Sequence, residues 1–450
     1  MAYGGGKWTP PIMNKVLSGT YISFVSKARA SNIFGERGYS AVGLSFDYGL
    51  DDEIITVEAS DLQRESVALF GLEYTDNALL PLREMLKNAK TVYVYKLNSG
   101  GNKARATQGS MTVEAVHSGL KGNEFSINIQ NNIDDPETFD IVISLGQLQV
   151  YKAVGLNADE DGLAKLNDNP YVNFKGELEA VVGLKLEGGT NGNETVSSHT
   201  RFLELIESKF INTIVYAGTD ESIKRLYASF VERRNYQEGF YFQGVLYNAD
   251  DPNSELIINV GAQPVINSKN KDYVSEGELA YWVAGAEAGA EINESLENTI
   301  YNGELKISSK LKQRELISSI KKGMFIFHEV EDRYRVLQDI NSFTDFSVSK
   351  NEDFSKNQII RVIHEISNSV STIFNTRYLG KVQNDELGRT ILWNDIHNHA
   401  TKLQGMGAIT DLESEDITVE QGDTKDAVYV RYLVNPTMAM AKLYMSIIVE

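Results

Sequence analysis

A chain of 450 residues is longer than one hydrophobic core usually serves, and size alone predicts about three packed units. Its composition, 42% hydrophobic and 23% charged, is that of a globular protein with apolar surface to bury, not a disordered or collagen-like one. A formal charge of -19 argues against a protein that tracks nucleic-acid phosphates or an anionic membrane surface, and the absence of cysteine excludes disulfides, thiolate catalysis, iron–sulfur clusters and cysteine zinc sites.

The first residues, Met1 to Pro11, carry neither the basic start nor the apolar run of a secretory signal, and no stretch is apolar enough to span a bilayer. The expectation is a product made and initially held in the cytoplasm. Three glycines and two prolines in the first 17 residues read as an arm, which leads into a strand over Thr20–Val25.

From about 40 to 98, strands mix with one helix around Asn77–Lys90 and close on the strand Thr91–Tyr95, a small α/β unit. Between about 99 and 187, short alternating segments such as Phe125–Ile129 and Phe139–Ile143 alternate with Gly, Asn and Asp turns, predicting a mainly β domain inserted in the chain. Over 188–345, the strands Thr213–Tyr216, Gly244–Tyr247 and Leu256–Val260 alternate with helical stretches, the sign of parallel βαβ connection. One of these helices starts at Asp220, with Ile223, Leu226, Tyr227, Phe230 and Val231 on one face and Thr219 placed to cap it.

From about 346, Ile359, Ile363, Ile366, Val370 and Ile373 form the stripe of a helix stopped by Gly380. Leu387, Ile391, Leu392, Ile396 and Leu403 belong to a second helix that ends near Gly405 and Gly407. Val428–Val434 and Ala441–Val449 read as strands. A last strand needs a sheet to join, and so does the first. Pairing inside one subunit and exchange between subunits both satisfy the pattern.

Motifs that carry chemistry are weak. His328-Glu329 and His364-Glu365 lack the second histidine of a zinc helix. Asp395, His397 and His399 read as an ordinary helix surface, on which the two imidazoles point to different faces. Asn157, Asp159, Asp161, Gly162 and Asp168 imitate a calcium loop without its flanking helices, and a polar turn before a short helix explains them. Gly188–Gly192 lacks the Lys of a phosphate loop and reads as a turn into the next domain, while the small residues of Tyr281–Gly289 predict close helix packing. No nucleophile elbow is present, so no catalytic residue, cofactor or metal is assigned.

Several longer stretches carry a resemblance: Gly4-Gly5-Gly6-Lys7-Trp8-Thr9 with Ser18–Ile22, Val94–Asn98, Ala115–Glu124, Leu186–Gly192, Val283–Gly289 and the terminal strand. In their order and spacing the chain resembles contractile tail sheath proteins, especially those of Gram-positive phages, defective prophages and R-type bacteriocins. Ser18 stands where that family commonly has the proline of a Pro-Gly-x-Tyr turn.

The resemblance implies an α/β multidomain fold. It consists of an N-terminal arm (1–22), an outer α/β unit (23–98), a β-sandwich-like domain (99–187), a subtilisin-like sheath domain (188–345), an α+β tube-facing domain (346–434) and a C-terminal arm (435–450). It implies arms, here Tyr21, Ile22 and Phe24 at one end and Leu443, Met445, Ile447 and Val449 at the other, that join a sheet in neighbouring subunits. Partners would be other copies, in hexameric rings stacked into a helical sheath, together with tail tube, baseplate and tail terminator proteins. Such a particle would be assembled in a bacterial cytoplasm and then released.

The basic residues Lys350, Lys356, Arg361, Arg377, Lys381, Arg389 and Lys402 read as the densest basic set in an acidic chain, and Lys381, Arg389 and Lys402 are the candidates for tube contact, against the reading of a solvated helix face. A static filament or surface-layer subunit is the competing reading; a secreted hydrolase is a third.

Overall fold

A computed structural model describes residues 4–7, 19–22, 36–267, 274–308 and 310–448. The chain divides into two units at Glu36 and Arg37. In the first, strands Gly4–Lys7 and Gly19–Ile22 pair in parallel, Gly4 opposite Gly19 and Lys7 opposite Ile22. The strand expected over Thr20–Val25 thus begins one residue earlier, and its continuation through Val25 lies outside the described residues.

The second unit is built on a seven-stranded sheet in the order Met324–Phe325, Ile257–Val260, Gln243–Tyr247, Thr213–Tyr216, Tyr39–Leu44, Thr91–Lys96, Ile54–Glu58. All neighbours are parallel except the last pair. Val42, Val92, Val94, Val215, Val245 and Ile258 face one side and meet Leu62, Leu82, Met85, Trp282 and Val283 from three helices. Ala41, Ile214, Leu246 and Ile257 face the other and meet Phe202, Ile206, Tyr227 and Phe230. Covering both faces is what a parallel sheet requires, and each fully buried Leu, Val or Phe contributes about 1.5–3 kcal/mol.

The sequence reading set 23–98 apart from 188–345, but strands from both lie side by side in this sheet, Tyr39–Leu44 against Thr213–Tyr216. Parallel strands need long crossovers, and here the one from Thr91–Lys96 to Thr213–Tyr216 contains the whole of 99–187. That insertion holds two sheets, one of Leu148–Asn157, Thr138–Leu145, Phe125–Asn131 and Val181–Lys185 and one of Val172–Lys175, Met111–Ser118 and Lys103–Gln108. Their alternating residues Val113, Ala115, Ile127, Ile129, Ile141, Ile143 and Phe174 share one core, as the period of two predicts.

The Gly188–Gly192 stretch laces the two crossings of the insertion together. Gly189 N donates to Asn123 Oδ1 (2.7 Å), Gly192 N to Asn98 O (3.0 Å) and Thr190 N to Asn102 O (3.1 Å). A Cβ on Gly192 would sit 1.8 Å from Ser99 O, so only glycine lets the two segments pass. Likewise the helix Leu279–Gly289 approaches Leu80–Met85 so closely that a Cβ on Gly285 would lie 2.2 Å from Met85 O.

Other local expectations shift. Asp220, not Thr219, caps the helix Glu221–Tyr236, accepting from Ser222 N and Ile223 N, because its shorter reach from the adjacent position matches those donors. The helix expected over 77–90 is a 3-10 turn, Asn77–Leu79, followed by Leu80–Met85 with Pro81 in its first turn.

Beyond the sheet come the hairpin Phe327–Val330/Arg333–Val336, the helices Asn357–Ile373 and Glu386–Gly405 joined through a π-turn Phe374–Tyr378, and the hairpin Ile417–Gln421/Val428–Tyr432. Trp393 Nε1 donates to Ile417 O (2.7 Å), fastening that hairpin to the second helix.

Candidate assembly surfaces and the joint that carries them

The helix Asn357–Ile373 rests only in part on the apolar stripe read from its sequence. Its buried side chains are Ile359, Ile360, Val362 and Ile373 together with Asn357, Gln358, Arg361, His364, Glu365 and Ser369, while Ile363, Ile366 and Val370 are half-buried. The polar face is turned inward because it has charges to meet there. The Arg361 guanidinium pairs with Glu287, with Asp339 (2.8 Å) and with Glu294 O (2.6 Å). Asn357 Nδ2 donates to Glu287 Oε1 and to Asp339 Oδ1, both at 2.9 Å, and Asn357 Oδ1 accepts from Gln243 Nε2 at 3.1 Å. Arg37 closes the other side, donating to Ala290 O (2.7 Å) and Glu287 O (2.8 Å).

Burial, reinforced by Asp339, drives the Glu287 carboxyl well above its usual range. Burial acts the same way on Asp339, but Arg361 and its hydrogen bonds outweigh it and hold that carboxyl low. Burial and the like charge of Arg361 pull Arg37 down to about 10. A buried pair of this kind resists opening, because separating it strands an uncompensated charge at about 3–5 kcal/mol. The second half of the chain is therefore bolted to the central sheet.

This geometry removes several residues from the expected cationic surface. Arg361 is an interior counter-ion. Lys350 is paired with Glu255 and donates to Tyr236 OH (3.2 Å), and Arg377 is paired with Asp395 (3.0 Å). Lys356 is half-buried at the start of the helix. Lys381 and Lys402 are exposed and Arg389 is half-buried. Lys381 Nζ donates to Thr376 O (2.6 Å). Arg389 Nη1 donates to Asn384 O (3.2 Å) and Oδ1 (3.0 Å) at the rim of a cavity of about 420 Å³ lined also by Tyr378, Leu379, Val382 and Leu392. Leu387 and Ile391, expected in the helix core, are 68% and 46% exposed.

The C-terminal segment is the opposite of the joint. Thr437 N donates to Ala408 O (3.0 Å) and Ala439 N to Gln358 Oε1 (3.1 Å), and from 440 to 448 no hydrogen bond is made among the described residues. Leu443, Met445 and Ile447 are 86%, 72% and 75% exposed. The strand expected over Ala441–Val449 is therefore not formed among the described residues, since a strand has no ladder without a neighbour, and Val449 lies outside them. The hairpin Ile417–Gln421/Val428–Tyr432 has no third strand among the described residues.

The motifs set aside earlier have structural occupations. His364 is buried and pushed down to about 3 by burial and by Arg37; His399 faces Glu365 at 3.6 Å; His397 stacks on Trp393 with centroids 4.7 Å apart. His328 lies in the hairpin strand Phe327–Val330. Asp159 caps Glu160–Leu166, accepting from Gly162 N (2.8 Å). No cluster of His, Cys, Asp and Glu suited to a metal occurs among the described residues.

One polar chain escaped the sequence reading because Ser45 lies 149 residues from Glu194: Ser45 Oγ donates to Glu194 Oε2 (2.6 Å), whose Oε1 meets His199 Nε2 (3.3 Å), while His199 Nδ1 meets Tyr227 OH (3.0 Å). It sits where Tyr39–Leu44 and Thr213–Tyr216 end, the crevice in which open α/β sheets place ligands. The carboxylate stands between serine and imidazole, so the imidazole has no access to the hydroxyl proton and the set is not a nucleophile.

Family models match the chain in succession. Residues 37–97 match the tail sheath protein Gp18 domain III N-terminal region and 99–191 the phage tail sheath protein beta-sandwich domain; 192–342 match the central domain and 349–450 the phage tail sheath C-terminal domain. The sheath tail protein of Desulfitobacterium hafniense is 32% identical, with a TM-score of 0.79 over 95% of this chain and 99% of that one. The chain belongs to the phage tail sheath protein family.

The uncharacterized protein YqbK of Bacillus subtilis (strain 168) is a further relative, 30% identical over 99% of this chain and 100% of its own. The helical sheath of the anti-feeding prophage in its contracted state has the same fold at 11% identity, with a TM-score of 0.55 over 97% of this chain and 99% of that one. Tail sheath proteins are structural subunits and not enzymes, in keeping with a ligand crevice occupied by Glu194, His199 and Tyr227. For a sheath protein the functional parts are its surfaces toward other chains. The exposed tail beyond Ala439 and the open-edged hairpin are the features that a single subunit leaves unfinished.

Proposed function

We propose that this protein is the subunit of a contractile tail sheath. Copies assemble as stacked hexameric rings around a tail tube, between baseplate and tail terminator proteins, in an extended metastable lattice. Release of that lattice into a shorter, wider one drives the tube through a target envelope, and the particle is built in a bacterial cytoplasm before it is released. The energy would lie in the difference between two packings of one folded subunit, with no nucleotide consumed.

The observation that carries this reading is the run of exposed apolar residues Leu443, Met445 and Ile447 on a segment without backbone partners among the described residues. Together with Tyr21 and Ile22 of the N-terminal arm, and Phe24 and Val449 beyond the described residues, it would complete the hairpin sheet of neighbouring subunits. Each hydrogen bond in such an exchanged ladder contributes about 0.5–1.5 kcal/mol, enough in number to tether subunits while they rotate. Non-closing heterologous contacts of this kind produce helical filaments. We read the parallel sheet as the subtilisin-like frame from which these surfaces project. Lys381, Arg389 and Lys402 form the tube grip, salt-sensitive and so releasable.

Negative-stain microscopy of purified protein tests the reading: hollow tubes are expected, whereas flat sheets would indicate a surface layer. Deletion of residues 1–19, or of the chain beyond Ala439 where its hydrogen bonds stop, should leave a folded subunit that forms no tubes. Normal tubes from both deletions would refute strand exchange. Lys381→Glu with Arg389→Glu should weaken sheath–tube assembly, and unchanged assembly would remove the grip.

A further inference from the structure

The most basic short stretch of this acidic chain is not in the C-terminal helices but in residues 306–322. Lys306, Lys310, Lys312, Arg314, Lys321 and Lys322 are all exposed there, against a single acid, Glu315. Glu315 is itself committed to the helix start, its Oε2 accepting from Lys312 N at 2.7 Å. Apart from Lys310, which reaches Glu329 (3.1 Å), the structure pairs none of these six cations with a carboxylate among the described residues. They flank and cover the helix Gln313–Lys321, none of whose side chains is buried. Its apolar residues Leu316, Ile317 and Ile320 fall at i, i+1 and i+4, and Ile317 is 50% exposed. A helix that is amphipathic yet packs neither face fully has its apolar side available for a partner.

The same chain carries a surface of opposite sign. Residues 411–426 hold seven carboxylates and one lysine, giving a net charge of −6 against +5 for 306–322. Asp411, Glu413, Glu415, Glu420, Asp423 and Asp426 are exposed, and none of them makes a salt bridge among the described residues. Leu433, just past the hairpin with its N donating to Asp416 O (2.8 Å), is 61% exposed. These carboxylates lie on the approach and the turn of the hairpin Ile417–Gln421/Val428–Tyr432, so the strand edges remain available for exchange.

We propose that the helix Gln313–Lys321 of one copy docks on the acidic 411–426 segment of a second copy, with Ile317 covered at the centre and the cations around it facing carboxylates. This rests on the reading of the chain as a self-assembling sheath subunit and adds to it a second, charge-based contact separate from the exchanged strands. Opposed patches of this kind set register and encounter rate and weaken as salt shortens the Debye length to about 10 Å at 0.1 M. An interface that holds at low salt and loosens under strain suits a lattice that must change its packing once.

The test uses the full chain. Lys312→Glu, Arg314→Glu and Lys321→Glu together change only exposed side chains. This variant should melt like the parent yet raise the critical concentration for tube formation more than about tenfold at low salt, read by sedimentation and microscopy. Adding Glu413→Lys, Glu415→Lys and Asp423→Lys to the same chain restores opposite signs across the contact and should recover assembly. Tubes that form as readily from the first variant as from the parent would overturn the inference, and so would failure of the second set to rescue, which would place the helix against some other surface. If the parent itself forms no tubes under any salt condition, the sheath reading falls and this contact with it. Parent tubes alongside an indifferent variant remove the contact alone.

Discussion

The joint around Arg361 and the tail beyond Ala439 differ in one respect that decides what each can do. Both are rich in groups that demand partners, carboxylates and guanidinium in one and apolar side chains with backbone amides in the other. At the joint the charges meet partners inside the chain, Glu287, Asp339, Asn357 and the carbonyl of Glu294, and of this set only Arg361 Nε is left without a hydrogen bond among the described residues. From 440 to 448 no hydrogen bond is made among the described residues, and Leu443, Met445 and Ile447 remain in solvent. A region closed within its own chain behaves as a rigid body; a region left open specifies a second chain. The proposed sheath role calls on both, a stiff frame and a segment open to a neighbouring copy.

The comparison breaks most visibly at the joint. Arg361→Met should destabilise the subunit by about 4 kcal/mol in denaturant unfolding, since it leaves Glu287 and Asp339 facing each other in the interior. A loss under about 1 kcal/mol would mean that the charges are not what holds the helix Asn357–Ile373 in place.

A smaller effect concerns Glu278, pushed up to about 7 by burial and by Glu84, with Oε2 unpartnered among the described residues. Its folded value lies above its unfolded one, so the native state holds the extra proton. Stability should therefore fall as pH rises from about 4.5 to about 7. Glu278→Gln should raise stability by about 2 kcal/mol at pH 7 and scarcely at pH 4.5, which thermal melts at the two pH values would show. An equal gain at both would assign the effect to packing.

The smallest effect on the isolated subunit belongs to the tail. Leu443→Ser with Ile447→Ser should move its unfolding free energy by less than about 0.5 kcal/mol while abolishing tube formation. A large destabilisation would show that the tail is part of the subunit's own core.

Local periodicity made much of the frame legible. Alternation marked Phe125–Ile129 and Phe139–Ile143, helical spacing marked the face of Ile223, Tyr227 and Phe230, and the small residues of Leu279–Gly289 announced close packing. Sheet membership was not legible. Tyr39–Leu44 and Thr213–Tyr216 are neighbours across an inserted domain, and nothing in either stretch encodes its partner.

Charge was misread for a related reason. Arg361 and Lys350 look like surface cations until the positions of Glu287, Asp339 and Glu255, which are distant in sequence, are known. The tail shows the converse. Its alternation is that of a strand, but the partner that would make it one is on no part of its own described chain.

Hydrogen exchange over residues 440–448, followed in the dispersed subunit and in the assembled particle, addresses the division between closed and open regions most directly. The account predicts amides that exchange freely in the subunit and become protected on assembly, while those of Asn357–Ile373 are protected in both. Protection of the tail already present in the subunit, or free exchange that persists in the particle, would contradict it.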